Sequence, residues 1–510
     1  MEITSTGAVL LAIAALAITA AVTEIARRRR RGVACETPPP PPVVNCTALL
    51  GLLPALLRGD VPAMMRRLYT EFGSVFTVGV LRVTFLVGPE ASAHFFQGLE
   101  SEVGHGRLFE FTVPMFGREV GHGVDDATRM EQGRFFVEAL KPNRLRIHVD
   151  PMVQEVENYF AKWGQDGTVD LKHELEQLLL LISGRCLLGR EVMARFDEVC
   201  RLFRDIENGL NLMSVFFPYS RVIPSNRRRD AAREKLHAII SDIVRSRKLQ
   251  GDHHHDHQEA AGNGKHDVLQ SLIDSRYRDD GRAAAEAEVA GLVISLLFAA
   301  KHTSTHASVW TGARLLSHRE FLAAAVDEQE HLVRKHAAAA ADGTGTITDH
   351  YGFLTDMPTL HRCIKEALRL HPPAPTMVRT ALKQFAVRTR EGHEYRVPAG
   401  HTIASPIVIS NRVAYIYKDP HLYDPGRFGP GREEDKVGGK FSYTSFGGGR
   451  NSCVGEGYAY LQIKAIWSHL LRNFELRLVS PFPKTDWSKL VPEPKGKVMV
   501  SYKRRQLSTT

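Results

Sequence analysis

Apolar positions recur with a period near 3.6 over much of this chain, and that spacing predicts helices. The stretches concerned are Pro151–Gly164, Leu171–Gly189, Arg229–Arg247, Ala283–Ser317, Arg319–Ala341 and Leu360–Leu370. Alternation suited to strands is confined to Val75–Val87, Phe385–Val397 and Phe474–Val479. The expected fold class is mainly α with small β-sheets, an α+β arrangement. No internal repeat interrupts it.

One apolar run differs from the rest. Thr6 to Thr23 carries no charge, and its eighteen residues span about 27 Å as a helix, enough for a thin bilayer. Arg27 to Arg31 follow it, whereas only Glu2 precedes it. A cleaved leader has its basic segment on the other side. Positive charge on the C-terminal flank keeps that flank in the cytoplasm. The alternative, a buried core helix, fits poorly with five arginines in succession. Pro38 to Pro42 then form a stiff extended spacer. The expected organisation is an anchor with its basic stop at 1–32, a Pro-rich linker at 33–45 and a single domain at 46–510. Asn45-Cys46-Thr47 is a glycosylation sequon that a cytoplasmic position would leave unmodified.

Composition narrows the class. With 43% hydrophobic and 24% charged residues among 510, the chain is neither disordered nor a multi-span membrane protein. The length alone suggests about three domains, or one large fold. The net charge of +9 raises the question of nucleic acid, but Arg27 to Arg31 against Glu2 and Glu24 account for +3 of it. The arginine runs 27–31 and 227–229 lack interleaved aromatics, and no recognition motif accompanies them, so no nucleic-acid partner is expected. His253, His254, His255 and His257 lie in a polar segment that reads as a solvated loop. Cys35, Cys46, Cys186, Cys200, Cys363 and Cys453 never form C-x-x-C, which indicates neither a disulfide framework nor a zinc knuckle.

Cys453 has distinctive neighbours. It ends Phe446-Gly447-Gly448-Gly449-Arg450-Asn451-Ser452-Cys453, followed by Val454-Gly455 and a predicted helix from about Tyr458 to Asn473. Glycines permit tight turns and close backbone approach to a flat ligand. Amide N–H groups and a helix N-terminus near the sulfur favour a thiolate. The residues describe an activated cysteine in a Gly-rich loop. A cysteine protease is the competing reading, but no partnered His/Asn signature stands out, and G-x-S-x-G and H-E-x-x-H do not occur.

Taken with the rest of the chain, this loop resembles the haem-binding loop of cytochrome P-450 enzymes, Phe-x-x-Gly-x-(Arg/His)-x-Cys-x-Gly. Glu366-Ala-Leu-Arg369 resembles their Glu-x-x-Arg helix pair, and Tyr423-Asp-Pro425-Gly-Arg427-Phe428 the segment whose arginine completes a buried Glu–Arg–Arg network. Order and spacing match over essentially the whole chain. Within the superfamily, His302-Thr303 on the helix Ala283–Ser317 is similar to sterol 14α-demethylases. So are Phe111-Thr-Val-Pro114-Met115-Phe116-Gly117 and Phe441-Ser-Tyr-Thr-Ser-Phe446, while Arg362 to Pro373 and Tyr460 to Trp467 resemble the plant forms.

The departures gather at the expected pocket. A family tyrosine is Phe109, an aromatic–acid step is His122-Gly123, and Gly-Gln before His-Thr is Ala300-Lys301. An aliphatic stretch is Ala374 to Val378, and the His or Arg of the haem loop is Asn451.

The resemblance implies haem b, with Cys453 as axial iron ligand and Phe446, Gly447, Arg450, Gly455 and a propionate-pairing Arg379 around it. It implies proton delivery by His302 and Thr303. It also implies a pocket lined by Phe109, Phe111, Met115, Phe116, His122, Ala299, Thr376, Met377 and Val378, suited to a hydrophobic polycycle. No G-x-G-x-x-G occurs, so NADPH is expected to act only through a partner, NADPH–cytochrome P-450 reductase. The implied place is the endoplasmic reticulum membrane, single-pass, with the catalytic domain facing the cytoplasm. The altered pocket favours hydroxylation or epoxidation of a triterpene. The alternative is sterol 14α-demethylation of the obtusifoliol type, and a more distant one is a non-catalytic haem- or sterol-binding protein.

Overall fold

The computed structural model describes residues 38–505 except 53, 56–58, 253–266, 339–346, 348 and 490. The anchor expected at 1–32, most of the linker and the histidine-rich segment lie outside these residues. Among the described residues no helix is long and apolar enough to cross a membrane.

The chain folds into two compact units that interleave along the sequence. Among the described residues the first comprises 38–108, Arg369–Cys453 and Trp487–Pro492. Its centre is a five-stranded sheet in the order Val75–Val78, Val83–Leu86, Thr402–Ser405, Met377–Ala381, Val103–Gly104. The Val83–Leu86 and Thr402–Ser405 strands are parallel and the other neighbours antiparallel. Val75, Leu86, Ile403 and Ala381 are buried with Phe95 and Phe96 of the helix Pro89–Gln97 against one part of it. Asn45 is a helix cap here: its side-chain oxygen accepts from the Thr47 hydroxyl and the Ala48 amide, both at 2.8 Å.

Among the described residues the second unit comprises Phe109–Leu368, Val454–Asp486 and 493–505. It is a stack of long helices, Pro142–Phe160, Leu171–Ser183, Phe196–Asn208, Pro224–Asp252, Glu286–Ser317, Arg319–Ala338 and Glu456–Asn473. A small antiparallel sheet, Asp166–Asp170, Met499–Arg504 and Phe474–Leu478, flanks them. Glu286–Ser317 is apolar on nearly every side and correspondingly buried, from Val289 to Leu297 except Ser295 and again from His306 to Ala313. Its start is capped by Glu288, whose carboxylate accepts from the Ala285 amide at 2.7 Å.

The pattern predicts the element types, and the structure moves several limits. Val75–Val87 is a hairpin rather than one strand, turning near Arg82 at φ 50°. Phe385–Val397 divides likewise into Phe385–Arg388 and Glu394–Val397, with Gly392 at φ 86° between them. Pro151 lies inside the helix Pro142–Phe160 instead of starting it. The buried row Leu145, His148, Val149, Met152 and Val156 outweighs the one hydrogen bond that proline forfeits. The helix from Leu171 ends at Ser183 and widens into a π turn over Gly184–Leu188.

Candidate active site

The cysteine loop belongs to the first unit and closes on itself. The Cys453 amide donates to the Phe446 carbonyl at 2.8 Å, and the Gly447 amide to Thr444 at 2.8 Å. Gly447 and Gly449 have φ of 74° and 63°, which side-chain-bearing residues adopt at a cost. A Cβ on Gly449 would stand 1.9 Å from the Phe96 carbonyl oxygen. The buried Asn411 holds the approach to the loop, accepting from the Thr444 amide at 3.1 Å and donating to the Ser445 hydroxyl at 2.8 Å. Phe441 stacks on Phe96 with ring centroids 4.9 Å apart. Cys453 emerges exposed from this rigid support, beside the exposed Arg450.

Arg379, on the strand Met377–Ala381, is buried and lies 5.3 Å over the Phe95 ring. Its Nη1 is 3.4 Å from His105 Nε2, and His105 Nδ1 is 3.0 Å from Glu100. Thr376, Met377 and Val378 beside it are half-buried.

In the same unit Arg369 donates to the carbonyls of Asn411, Pro420 and Leu422, and Arg427 to those of Lys418 and Leu422. Both guanidiniums lie over the Tyr417 ring. Arg369 and Arg427 are fully buried, and so is Glu366, which belongs to the second unit. A further carboxylate, Glu434, pairs with Arg427 and with Arg432. Nothing in the local sequence marks Glu434.

In the second unit, Ala299 and Thr303 form an exposed strip, one turn apart, on the mostly buried helix Glu286–Ser317. The Thr303 hydroxyl donates to the Ala299 carbonyl at 2.7 Å, which leaves its oxygen able to accept. His302 points elsewhere on the helix. Its Nε2 is 2.7 Å from Glu207, on the helix Phe196–Asn208. The other Glu207 oxygen accepts from Lys301 Nζ at 2.8 Å, and Lys301 also meets Glu176 at 3.0 Å. Burial pushes the Glu207 carboxyl up, but His302 and Lys301 outweigh burial and hold it below the usual carboxylate range. Burial likewise pushes Lys301 down, and Glu207 and Glu176 reverse that.

The expected pocket residues of this unit form two aromatic groups. Phe116 meets Phe298 at 5.6 Å, and Phe298 meets His302 at 5.4 Å. Phe109 stacks on His122 at 5.0 Å and 16°, with Phe111 at 6.3 Å from Phe109. Phe109 and His122 are thus partners. Met115 is a core residue, 1% exposed. The glycine Gly291 admits this segment, since a Cβ there would meet the Phe116 carbonyl at 2.7 Å.

Comparison with known proteins adds what geometry alone leaves open. Residues 38–500 match the family described as "Cytochrome P450". The obtusifoliol 14-alpha demethylase of Sorghum bicolor is 52% identical over 460 residues, covering 90% of this chain and 89% of that one. The sterol 14-demethylase of Arabidopsis thaliana is 51% identical over 463 residues, 90% of each. The lanosterol 14-alpha demethylase of Bos taurus is 32% identical, covering 86% and 82%. The chain belongs to the cytochrome P-450 family, in its sterol 14-demethylase branch. A solved cyanobacterial structure with bound retinoic acid shares the fold at a TM-score of 0.71 and 20% identity, covering 92% of this chain and all of that one.

This cytochrome P-450 is therefore an oxygen-incorporating oxidoreductase with haem iron as cofactor. The cysteine loop fits that group. Glycines at 447 and 449 add no side chain to the loop, and the exposed Cys453 thiol would supply one soft donor. Among the described residues no three His, Cys, Asp or Glu side chains gather into a metal site. Glu207, His105 and Glu434 are the side chains that the sequence did not announce.

Proposed function

We propose that this cytochrome P-450 removes the 14α-methyl group of a sterol of the obtusifoliol type. The observation that carries this is identity of 51–52%, over nine-tenths of the chain, to plant enzymes named for that demethylation. That identity favours demethylation over the triterpene hydroxylation which the altered pocket suggests, because single exchanges such as Phe109 and His122 sit within a retained frame. The family reaction proceeds by three successive oxygenations.

Cys453 would hold the haem iron, and Arg379, buried beside His105, would pair with a propionate. When bound, the haem supplies activation of dioxygen and insertion of oxygen into a C–H bond. Thr303, on the exposed strip with Ala299, would accept and pass a proton, and His302, one-third exposed and held against the Glu207 carboxylate, would take up the replacement proton from solvent. Phe109, Phe111, Phe116 and His122 of the second unit, and Thr376, Met377 and Val378 of the first, would each present apolar surface to the substrate. Glu366, Arg369 and Arg427 would form the supporting network.

Electrons would come from NADPH through NADPH–cytochrome P-450 reductase, for which exposed Lys440 and Arg450 near the loop suit an acidic partner. Residues 1–32 would anchor the chain in the endoplasmic reticulum membrane, and 33–45 would space the haem domain at 46–510 on its cytoplasmic side.

The test is co-expression with that reductase and supply of 14α-methyl sterols and cyclised triterpenes. Formation of the 14-demethylated sterol is expected. Hydroxylated triterpene with sterols left intact overturns the proposal.

A further inference from the structure

Lys301 directly precedes His302 on the helix Glu286–Ser317, and the structure gives it an unusual position. Its side chain is 7% exposed, and Glu207 beside it 10%. Neighbouring residues on a helix diverge by about 100°, so Lys301 and His302 ordinarily serve different surroundings. Here they grasp the two oxygens of one carboxylate, Lys301 at 2.8 Å and His302 at 2.7 Å. Lys301 also holds Glu176 at 3.0 Å, which ties the helices Leu171–Ser183, Phe196–Asn208 and Glu286–Ser317 together through one ammonium. The Phe203 ring lies 5.9 Å from that ammonium, and Cys200 on the same helix lies within its field.

A carboxylate this deeply buried needs a cationic partner. With only His302 beside it, each loss of the imidazole proton would leave Glu207 uncompensated. Lys301 changes that balance, because an ammonium paired with two carboxylates keeps its charge through the whole range in which a histidine titrates.

We propose that Lys301 is a positioning residue that keeps Glu207 ionised and in place while His302 gives up and regains its proton. The proposal rests on the proton-delivery role assigned to His302 above. Its physical content is separate: the Glu207 site tolerates a neutral His302 because of Lys301. The groups facing His302 in this cluster are Glu207 and Lys301, with Glu176 and Cys200 behind them.

The experiment follows thermal unfolding of the haem-loaded protein between pH 6 and pH 8.5, for the parent, Lys301→Gln and Lys301→Gln/His302→Gln. Each sample first shows an intact reduced carbon-monoxide spectrum. Without Lys301, stability from the His302–Glu207 pair is full while the imidazole is charged and is lost as pH rises. Lys301→Gln is therefore expected to lose about 3 °C more than the parent across this range, and the double variant to lose that extra slope. Parallel profiles for the parent and Lys301→Gln overturn the proposal.

Should Lys301→Gln not fold, His302→Gln decides. The clamp leaves Glu207 paired in that variant, so its Tm is expected within about 2 °C of the parent, and a loss beyond about 5 °C overturns the proposal. A failure of sterol demethylation sinks the assigned reaction alone, because these melting profiles need no turnover. Where turnover is present, sterol formed per NADPH should fall in Lys301→Gln chiefly above pH 7.5 and return in Lys301→Arg.

Discussion

Trp467 donates its indole N–H to the Ser308 carbonyl and hydroxyl, both at 3.1 Å, and its ring fills the space where Gly312 has no side chain. A Cβ on Gly312 would lie 2.2 Å from Trp467 Cζ2. The helices Glu286–Ser317 and Glu456–Asn473 meet at this point. Gly312→Ala gains about 1 kcal/mol of helix propensity and meets an overpacking cost of about 1–3 kcal/mol or more. At 2.2 Å the overpacking wins. A lowered Tm is expected in a thermal melt, with partial recovery in Gly312→Ala/Trp467→Phe. An unchanged Tm in the single variant would show that the helices part freely.

Gly449 has φ of 63° and no room beside the Phe96 carbonyl. The left-handed conformation alone costs an alanine about 1–2 kcal/mol, and the contact forces the loop away. Gly449→Ala should sharply reduce haem per polypeptide, read by pyridine haemochrome against protein concentration. Gly431→Ala, also at positive φ (84°) but with open space around it, should keep its haem.

Arg427 is fully buried and pairs with Glu434, which also accepts from the Lys418 amide at 3.2 Å. Removing one partner of a buried pair leaves a charge without compensation, at about 3–5 kcal/mol. Glu434→Ala is expected to shift urea unfolding by that order, while Glu433→Ala, whose partner Lys436 is exposed, should change it by less than about 1 kcal/mol.

His469 stacks on Phe160 at 5.5 Å and 16°. Burial, followed by Arg472 and Arg504, pushes its imidazole down to about 4. The unfolded chain therefore binds a proton near pH 6.5 that the folded chain refuses until about pH 4. Stability from this group is complete above pH 6.5 and is lost as pH falls below it. Between pH 7 and pH 5, His469→Gln should lose less stability than the parent, in chemical unfolding at each pH. Equal losses would mean that other groups carry the acid sensitivity.

By itself the sequence determined the element types, the cysteine loop and the family. These are carried by local signals: a 3.6 period, glycines at fixed offsets from Cys453, and the spacing of Glu366 and Arg369. It also located the substituted positions 109, 122 and 301. Only the tertiary structure decided that Phe109 and His122 stack together, that Lys301 and His302 share Glu207, and that Glu434 balances Arg427. Burial favours any compensating carboxylate for a buried cation but does not say which one. That choice is made when helices pack and bring residues such as 207 and 302, distant along the chain, within 3 Å of each other.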